Sequence, residues 1–153
     1  MSAQLQEMPR TRRMVPADLD AVVAIEREVF LFPWTRGNFS DSIESGYHCL
    51  VLELGGEVFG YGVMTIGAEE GHLLTLSIAA GSQRKGWGER LLREFIHLAK
   101  ERLAQSMFLD VRESNRAAAR LYERLGFKRI GKRRGYYPAM GGREDSLVME
   151  LVL

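Results

Sequence analysis

A strand-like apolar run, a glycine-bracketed basic loop and an amphipathic helix follow one another over residues 72–100, "HLLTLSIAAGSQRKGWGERLLREFIHLAK". "HLLTLSIAA" (72–80) is apolar and flanked by Gly71 and Gly81, as a buried strand would be. Leu91, Leu92, Phe95, Ile96, Ala99 and Leu103 then recur at spacings that mark one face of a helix. Between the two lies Gln83-Arg84-Lys85-Gly86-Trp87-Gly88. Glycine there exposes backbone N–H groups, and the start of a helix favours anions. The loop reads as a phosphate cradle. Its bland alternative is a tight strand-to-helix turn.

The rest of the chain supplies strands and helices in mixed order. "TRRMV" (11–15) reads as a short strand, and "PADLDAVVAIEREVF" (16–30) as a helix with Pro16 in its first turn. "LFPW" (31–34) interrupts, and "TRGNFSDSIES" (35–45) reads as a second helix capped by Thr35. "YHCLVLEL" (47–54) and "EVFGYGVMTIG" (57–67) form a hairpin about Gly55-Gly56. "SMFLDVR" (106–112) is a buried strand, and "NRAAARLYERLG" (115–126) a helix with Asn115 at its start and Gly126 past its end. "FKRIGKRRGYY" (127–137) and "SLVMELVL" (146–153) are the last strands, joined by a glycine-rich loop, "PAMGGRED". Residues 1–6 are polar and expected to fray. The order predicts an α/β (α+β) fold with a largely antiparallel sheet crossed by helices.

At 153 residues, with 46% hydrophobic and 27% charged side chains, the chain fits a single globular domain spanning 1–153. A net charge of +1 argues against a nucleic-acid partner. The run Lys128, Arg129, Lys132, Arg133, Arg134 then reads as a solvated strand face. No apolar run approaches the roughly 20 residues of a membrane helix, so no membrane partner is expected. The N-terminus lacks a secretory apolar core, and the lone Cys49 cannot form an internal disulfide, which favours a cytoplasmic protein. His48, His72 and His97 show no metal spacing with Cys49, so no metal is expected.

The glycine loop is not a Walker loop, because no Gly-Lys-Ser/Thr follows. A dinucleotide fingerprint would need a third glycine where Leu91 stands. A second constellation lies in "LDVRESNRAAARLYERLGF" (109–127). There a strand ends in the carboxylate of Asp110, Asn115 opens the next helix, and Tyr122 lies on the same helix face two turns on. Each residue alone reads as structural: an ion pair, a cap, a half-buried tyrosine.

Together, Gln-Arg-Lys-Gly-Trp-Gly and its leucine-rich helix resemble the Q/R-x-x-G-x-G/A signature of the GNAT acetyltransferases. "FPWTRGNF" (32–39), the 109–127 stretch, "RRGYYP" (133–138) and "GREDSLVM" (142–149) are similar to the RimI-like branch, which acetylates the N-terminal alanine of ribosomal proteins. The resemblance implies a twisted mixed sheet, mostly antiparallel, splayed into a V, with helices on both faces. It implies acetyl-CoA as cosubstrate and a ribosomal-protein N-terminus as partner. Its pyrophosphate would meet the N–H groups of Arg84, Lys85, Gly86, Trp87, Gly88 and Glu89. Its pantetheine arm would lie along Leu76, Ile78, Ala79 and Ala80 and against Asn115. Asp110 would be the base and Tyr122, at an ordinary pKa near 10, the acid that protonates the departing thiolate. Phe32, Pro33, Trp34, Tyr136, Tyr137, Glu144 and Asp145 would receive the peptide. Asp110 departs from the family's glutamate and is one carbon shorter. The alternatives are a GNAT enzyme for a small amine or a lysine side chain, or a non-catalytic acyl-CoA-binding regulatory module.

Overall fold

The computed structural model describes residues 8–153; the frayed end expected over residues 1–6 lies outside them. Strands and helices follow in the order β1 (Arg10–Arg13), α1 (Leu19–Val29), α2 (Arg36–Glu44), β2 (His48–Leu54), β3 (Glu57–Gly67), β4 (Glu70–Ile78), α3 (Trp87–Glu101), β5 (Ser106–Arg112), α4 (Arg116–Arg124), β6 (Lys128–Ala139) and β7 (Gly142–Val152). The strands hydrogen-bond in the order β1-β2-β3-β4-β5-β7-β6. β1–β2, β5–β7 and β6–β7 are antiparallel, whereas β4–β5 is parallel. A parallel pair cannot be closed by a hairpin, and α3 is the crossover it requires. Its paired stretch runs only from Glu70–Ser106 to Leu73–Leu109, while β4 continues to Ile78 and β5 to Arg112.

The chain divides into two compact units. The first takes the described residues up to Val63 together with Thr75–Glu94. Its core joins Leu19, Val22, Val23 and Ile25 of α1 to Phe39 of α2, Cys49 and Val51 of β2, and Tyr61 and Val63 of β3. The α1 positions follow the helical period, so one face is apolar and the other solvated. Thr35 caps α2 as expected: its Oγ1 accepts from Asn38 N–H at 3.1 Å, and the Asn38 side chain returns the bond to Thr35 N–H at 2.9 Å.

The second unit takes Met64–Leu74 and Phe95–Leu153. In β5, Met107, Leu109 and Val111 are buried, and the residues between them are half-buried. That alternation turns Asp110 to the face opposite the core. Both ends of α4 are locked. Asn115 Oδ1 accepts from Ala118 N–H at 3.2 Å. At the other end Phe127 N–H reaches Tyr122 C=O and Gly126 N–H reaches Glu123 C=O, each at 3.0 Å, with Gly126 at φ +103°. This is the Schellman pattern, and the Tyr122–Phe127 ring contact at 5.8 Å is its usual apolar partner.

Three expectations change. β4 ends at Ile78, and Ala80–Ser82 form a 3-10 turn, so Ala79 and Ala80 lie outside the strand. Leu103 falls beyond α3 at φ +63° and is exposed, while Ala104 takes the buried position. "PAMGGRED" is mostly strand: pairing continues to Ala139–Gly142, leaving Met140-Gly141 as a tight turn with Gly141 at φ +76°.

Candidate active site

In the first unit the glycine loop leads directly into α3. Gly86 has φ +87°, a conformation that a side chain disfavours, and a Cβ there would meet open space. The conformation, and not crowding, demands glycine. The helix bond from Arg90 N–H to Gly86 C=O, 3.1 Å, sets the start of the ladder. The N–H groups of Trp87 and Gly88 thus have no acceptor within the helix, which is the arrangement that binds anions. Arg84 and Lys85 are exposed beside them, and Glu89 holds Arg93 one turn on. The Trp87 ring packs edge-on against Phe59 of β3 at 5.4 Å, which fixes the first turn of α3. Upstream, Gln83 Nε2 donates to Ile78 C=O at 3.0 Å, bracing the loop against the end of β4. Leu76 and Ile78 lie on that strand. Two of the anticipated backbone donors are engaged internally: Ala79 N–H on Phe59 C=O at 2.8 Å, and Ala80 N–H on Glu28 Oε1 at 3.1 Å.

The Phe32-Pro33-Trp34 segment belongs to the same unit. Phe32 and Pro33 are exposed, whereas Trp34 packs on Phe39 at 5.1 Å. Its backbone is held by Glu26, which sequence reasoning did not single out. Glu26 is buried; its Oε2 accepts from Trp34 N–H at 2.9 Å and its Oε1 from Tyr61 O–H at 2.6 Å. Burial raises the Glu26 pKa above the usual carboxylate range despite these donors, and it raises that of Tyr61 as well.

In the second unit Asp110, Tyr122, Tyr136, Tyr137, Glu144 and Asp145 are brought together by β5, α4, β6 and β7. Asp110 Oδ1 accepts from Arg133 Nε at 3.0 Å and from Ser146 Oγ at 2.6 Å. Tyr122 is buried, and burial together with neighbouring Tyr137 pushes its hydroxyl above the ordinary value near 10. Burial and Asp110 push Tyr137 up to about 12. Tyr137 stands edge-on to Tyr136 at 4.9 Å and carries the Arg112 guanidinium over its face at 4.5 Å. Glu144 and Asp145 are tied into the protein. Glu144 accepts from Ser114 N–H at 2.7 Å and Arg112 Nη1 at 3.0 Å, and Ser114 and Arg112 hold its pKa low. Asp145 accepts from Gly135 N–H at 2.8 Å.

That last bond explains the placement of Tyr137. The β6–β7 register slips between Arg133 and Tyr137, with Arg133 opposite Ser146 and Tyr137 opposite Glu144. The extra residues bulge at Gly135, φ +59°, pinned by Asp145 and by Arg143 Nε on Gly135 C=O at 2.7 Å. A bulge re-aims the side chains after it, here the tyrosine pair. Ser146, Arg133 and Arg143 escaped sequence reasoning because their partners lie far away in sequence. Among the described residues no group of His, Cys, Asp and Glu is placed to hold a metal, and burial pushes the Cys49 thiol up to about 11. No helix among them is long and apolar enough to cross a membrane.

The fold, the family and the relatives together make this an acetyl-CoA-dependent acetyltransferase. The chain belongs to the acetyltransferase (GNAT) family, whose profile matches residues 19–127. It is 34% identical over 134 residues to the [ribosomal protein bS18]-alanine N-acetyltransferase of Escherichia coli K12, covering 88% of this chain and 90% of that one. The crystal structure of the Escherichia coli ribosomal-protein-S18-alanine N-acetyltransferase superposes with a TM-score of 0.89 at 32% identity, covering 95% and 94% of the two chains. YncA of Salmonella typhimurium, solved with its cofactor acetyl-CoA, shares the fold at a TM-score of 0.81 and 23% identity, covering 95% and 94%.

Proposed function

We propose that this enzyme transfers the acetyl group of acetyl-CoA to the α-amine of an N-terminal alanine on a ribosomal protein. The observation that carries the reading is the 34% identity, over 88% of the chain, to an enzyme named for that reaction. A ribosomal substrate makes the cytoplasm the place of work. In this reading the N–H groups at the start of α3 hold the pyrophosphate, with Arg84 and Lys85 adding positive charge. The edge of β4 over Leu76 and Ile78 lies along the pantetheine arm, and Asn115 contacts the same arm. Phe32, Pro33, Tyr136 and Tyr137 present apolar surface to the peptide, while Trp34, Glu144 and Asp145 hold the walls in place.

The chemistry needs a neutral amine, a polarised carbonyl and a protonated leaving thiolate. Asp110 takes a proton from the ammonium, directly or through water. The amine nitrogen bonds to the thioester carbon, the C–S bond breaks, Tyr122 delivers its proton to the sulfur, and the nitrogen's surplus proton passes through water to restore the Tyr122 hydroxyl. A backbone N–H at Ile78 polarises the carbonyl. A raised pKa keeps the Tyr122 proton in place throughout the working pH range, ready for a developing thiolate. An α-amine titrates near 8 and a lysine near 10.4, so the neutral form is some ~300-fold scarcer for lysine at pH 7, about 3.4 kcal/mol.

The test is a peptide with a free N-terminal alanine and internal lysines, incubated with acetyl-CoA and mapped by mass spectrometry. Acetylation at the terminus alone is expected. Predominant modification of lysine overturns the assignment in favour of a side-chain acetyltransferase. Binding of acetyl-CoA without turnover on any amine would make the protein a non-catalytic acyl-CoA module.

A further inference from the structure

We propose that Ser146 is a positioning residue of this reaction: it fixes the Asp110 carboxylate. The assignment rests on Asp110 serving as the base. Ser146 lies on β7, opposite Arg112 of β5 on one side and Arg133 of β6 on the other. It is wholly buried. Its Oγ is 2.6 Å from Asp110 Oδ1 and 3.2 Å from Leu147 C=O. A hydroxyl has one proton, and the nearer, charged oxygen takes it.

Ser146 therefore holds Asp110 as a hydrogen-bond donor. Arg133 Nε reaches the same Oδ1 at 3.0 Å. Both donors converge on one oxygen, so Oδ2 keeps its lone pairs for an amine or a bridging water. A short, partly exposed aspartate would otherwise sample several χ rotamers. Two donors and a buried hydroxyl select one, and a base works only from a fixed distance. The pinned bulge at Gly135 follows Arg133 directly and so fixes the stretch of β6 that carries the second donor to Asp110.

The experiment is steady-state kinetics with an Ala-starting peptide on wild type, Ser146→Ala, Asp110→Asn and the double variant. Ser146→Ala is expected to lower kcat on the order of 10-fold, the scale of one hydrogen bond to a charged group, with KM for acetyl-CoA unchanged. In the Asp110→Asn background the same substitution should change kcat by less than about twofold, because the group it acts through is gone. Ser146→Cys, similar in volume but a weaker donor, should fall between wild type and alanine. Should Ser146→Ala fail to fold, the cysteine variant in both backgrounds carries the comparison. An equal loss in both backgrounds would mean that Ser146 acts independently of Asp110 and overturns the proposal. Full kcat in Ser146→Ala beside an impaired Asp110→Asn overturns it too, and leaves the base assignment standing. Full kcat in Asp110→Asn removes the base, and the role of Ser146 with it.

Discussion

Tyr122 is fixed from two sides, and its position follows from residues close to it in sequence. The Schellman cap at Gly126 ties its carbonyl to Phe127 N–H, and its ring rests on the Phe127 ring. Tyr122→Phe keeps the ring and removes only the hydroxyl. Turnover should fall roughly 10²-fold, the usual scale for general acid–base help, with acetyl-CoA affinity retained. Kinetics alongside isothermal titration check both halves. Because burial raises the hydroxyl's pKa, its ionisation should not erode the rate on the alkaline side below about pH 10. Such local residues are legible: Asn115 and Gly126 announce the ends of α4, and Tyr122 lies on the helix between them. The carboxylates around them are harder. Glu144 and Asp145 read as carboxylates facing the peptide because nothing in their neighbourhood names Ser114, Arg112 or Gly135 as their donors. Glu26 is missed for the same reason, since Tyr61 lies 35 residues away in sequence.

Elements with local turn chemistry are read correctly. Gly55-Gly56, both at positive φ, delimit the β2–β3 hairpin to the residue, whereas the β3–β4 turn uses Ala68 and Glu69 at φ +51° and +65° and sends no glycine or asparagine signal. β6 and β7 run on through "PAMGGRED" because an edge pair with both faces partly solvated carries no hydrophobic alternation to mark its length. The element most sensitive to one buried group is the Phe32–Trp34 segment, clamped to α1 by Glu26. Glu26→Ala removes the carboxylate that accepts from both Tyr61 O–H and Trp34 N–H, and should cost about 2–4 kcal/mol by denaturant titration. Glu26→Gln can still accept from Trp34 and donate to Tyr61. The charge also makes a pH signature. Glu26 titrates above its unfolded value, so the native state binds its proton more readily, and stability falls as pH rises from about 4.5 through the folded value. Asp18, held low chiefly by its hydrogen bond to Arg12, acts in the opposite sense and loses its contribution only as pH falls below about 4. Urea midpoints between pH 4.5 and 8 should therefore decline in wild type and decline less in Glu26→Gln. Equal slopes would exclude Glu26 as the source.

At the scale of the whole molecule, the boundary between the two units falls inside β3, β4 and α3. A strand or helix shared by both cannot melt in one half alone, so a single cooperative transition is expected. Trp34 and Trp87, the two tryptophans, both lie in the first unit, whereas far-UV circular dichroism reports on helices and strands of both. The two signals should coincide on heating; separate midpoints would mean two domains. Acetyl-CoA should move the shared transition. A ligand bound only by the folded state adds RT ln(1 + [L]/Kd), about 2.7 kcal/mol at 100-fold excess over Kd, and at this chain length that is roughly 5–10 °C. Gly86→Val separates the loop's role from that of the fold. Valine at φ +87° is strained, so the variant should start about 1–2 kcal/mol less stable, yet a Cβ there meets open space and the fold should persist. What valine disturbs is the backbone path that aims the Trp87 and Gly88 N–H groups outward. The variant should then show one cooperative transition that acetyl-CoA no longer raises. A full shift in Gly86→Val would mean that the pyrophosphate is held elsewhere, and would leave the glycine as a turn former only.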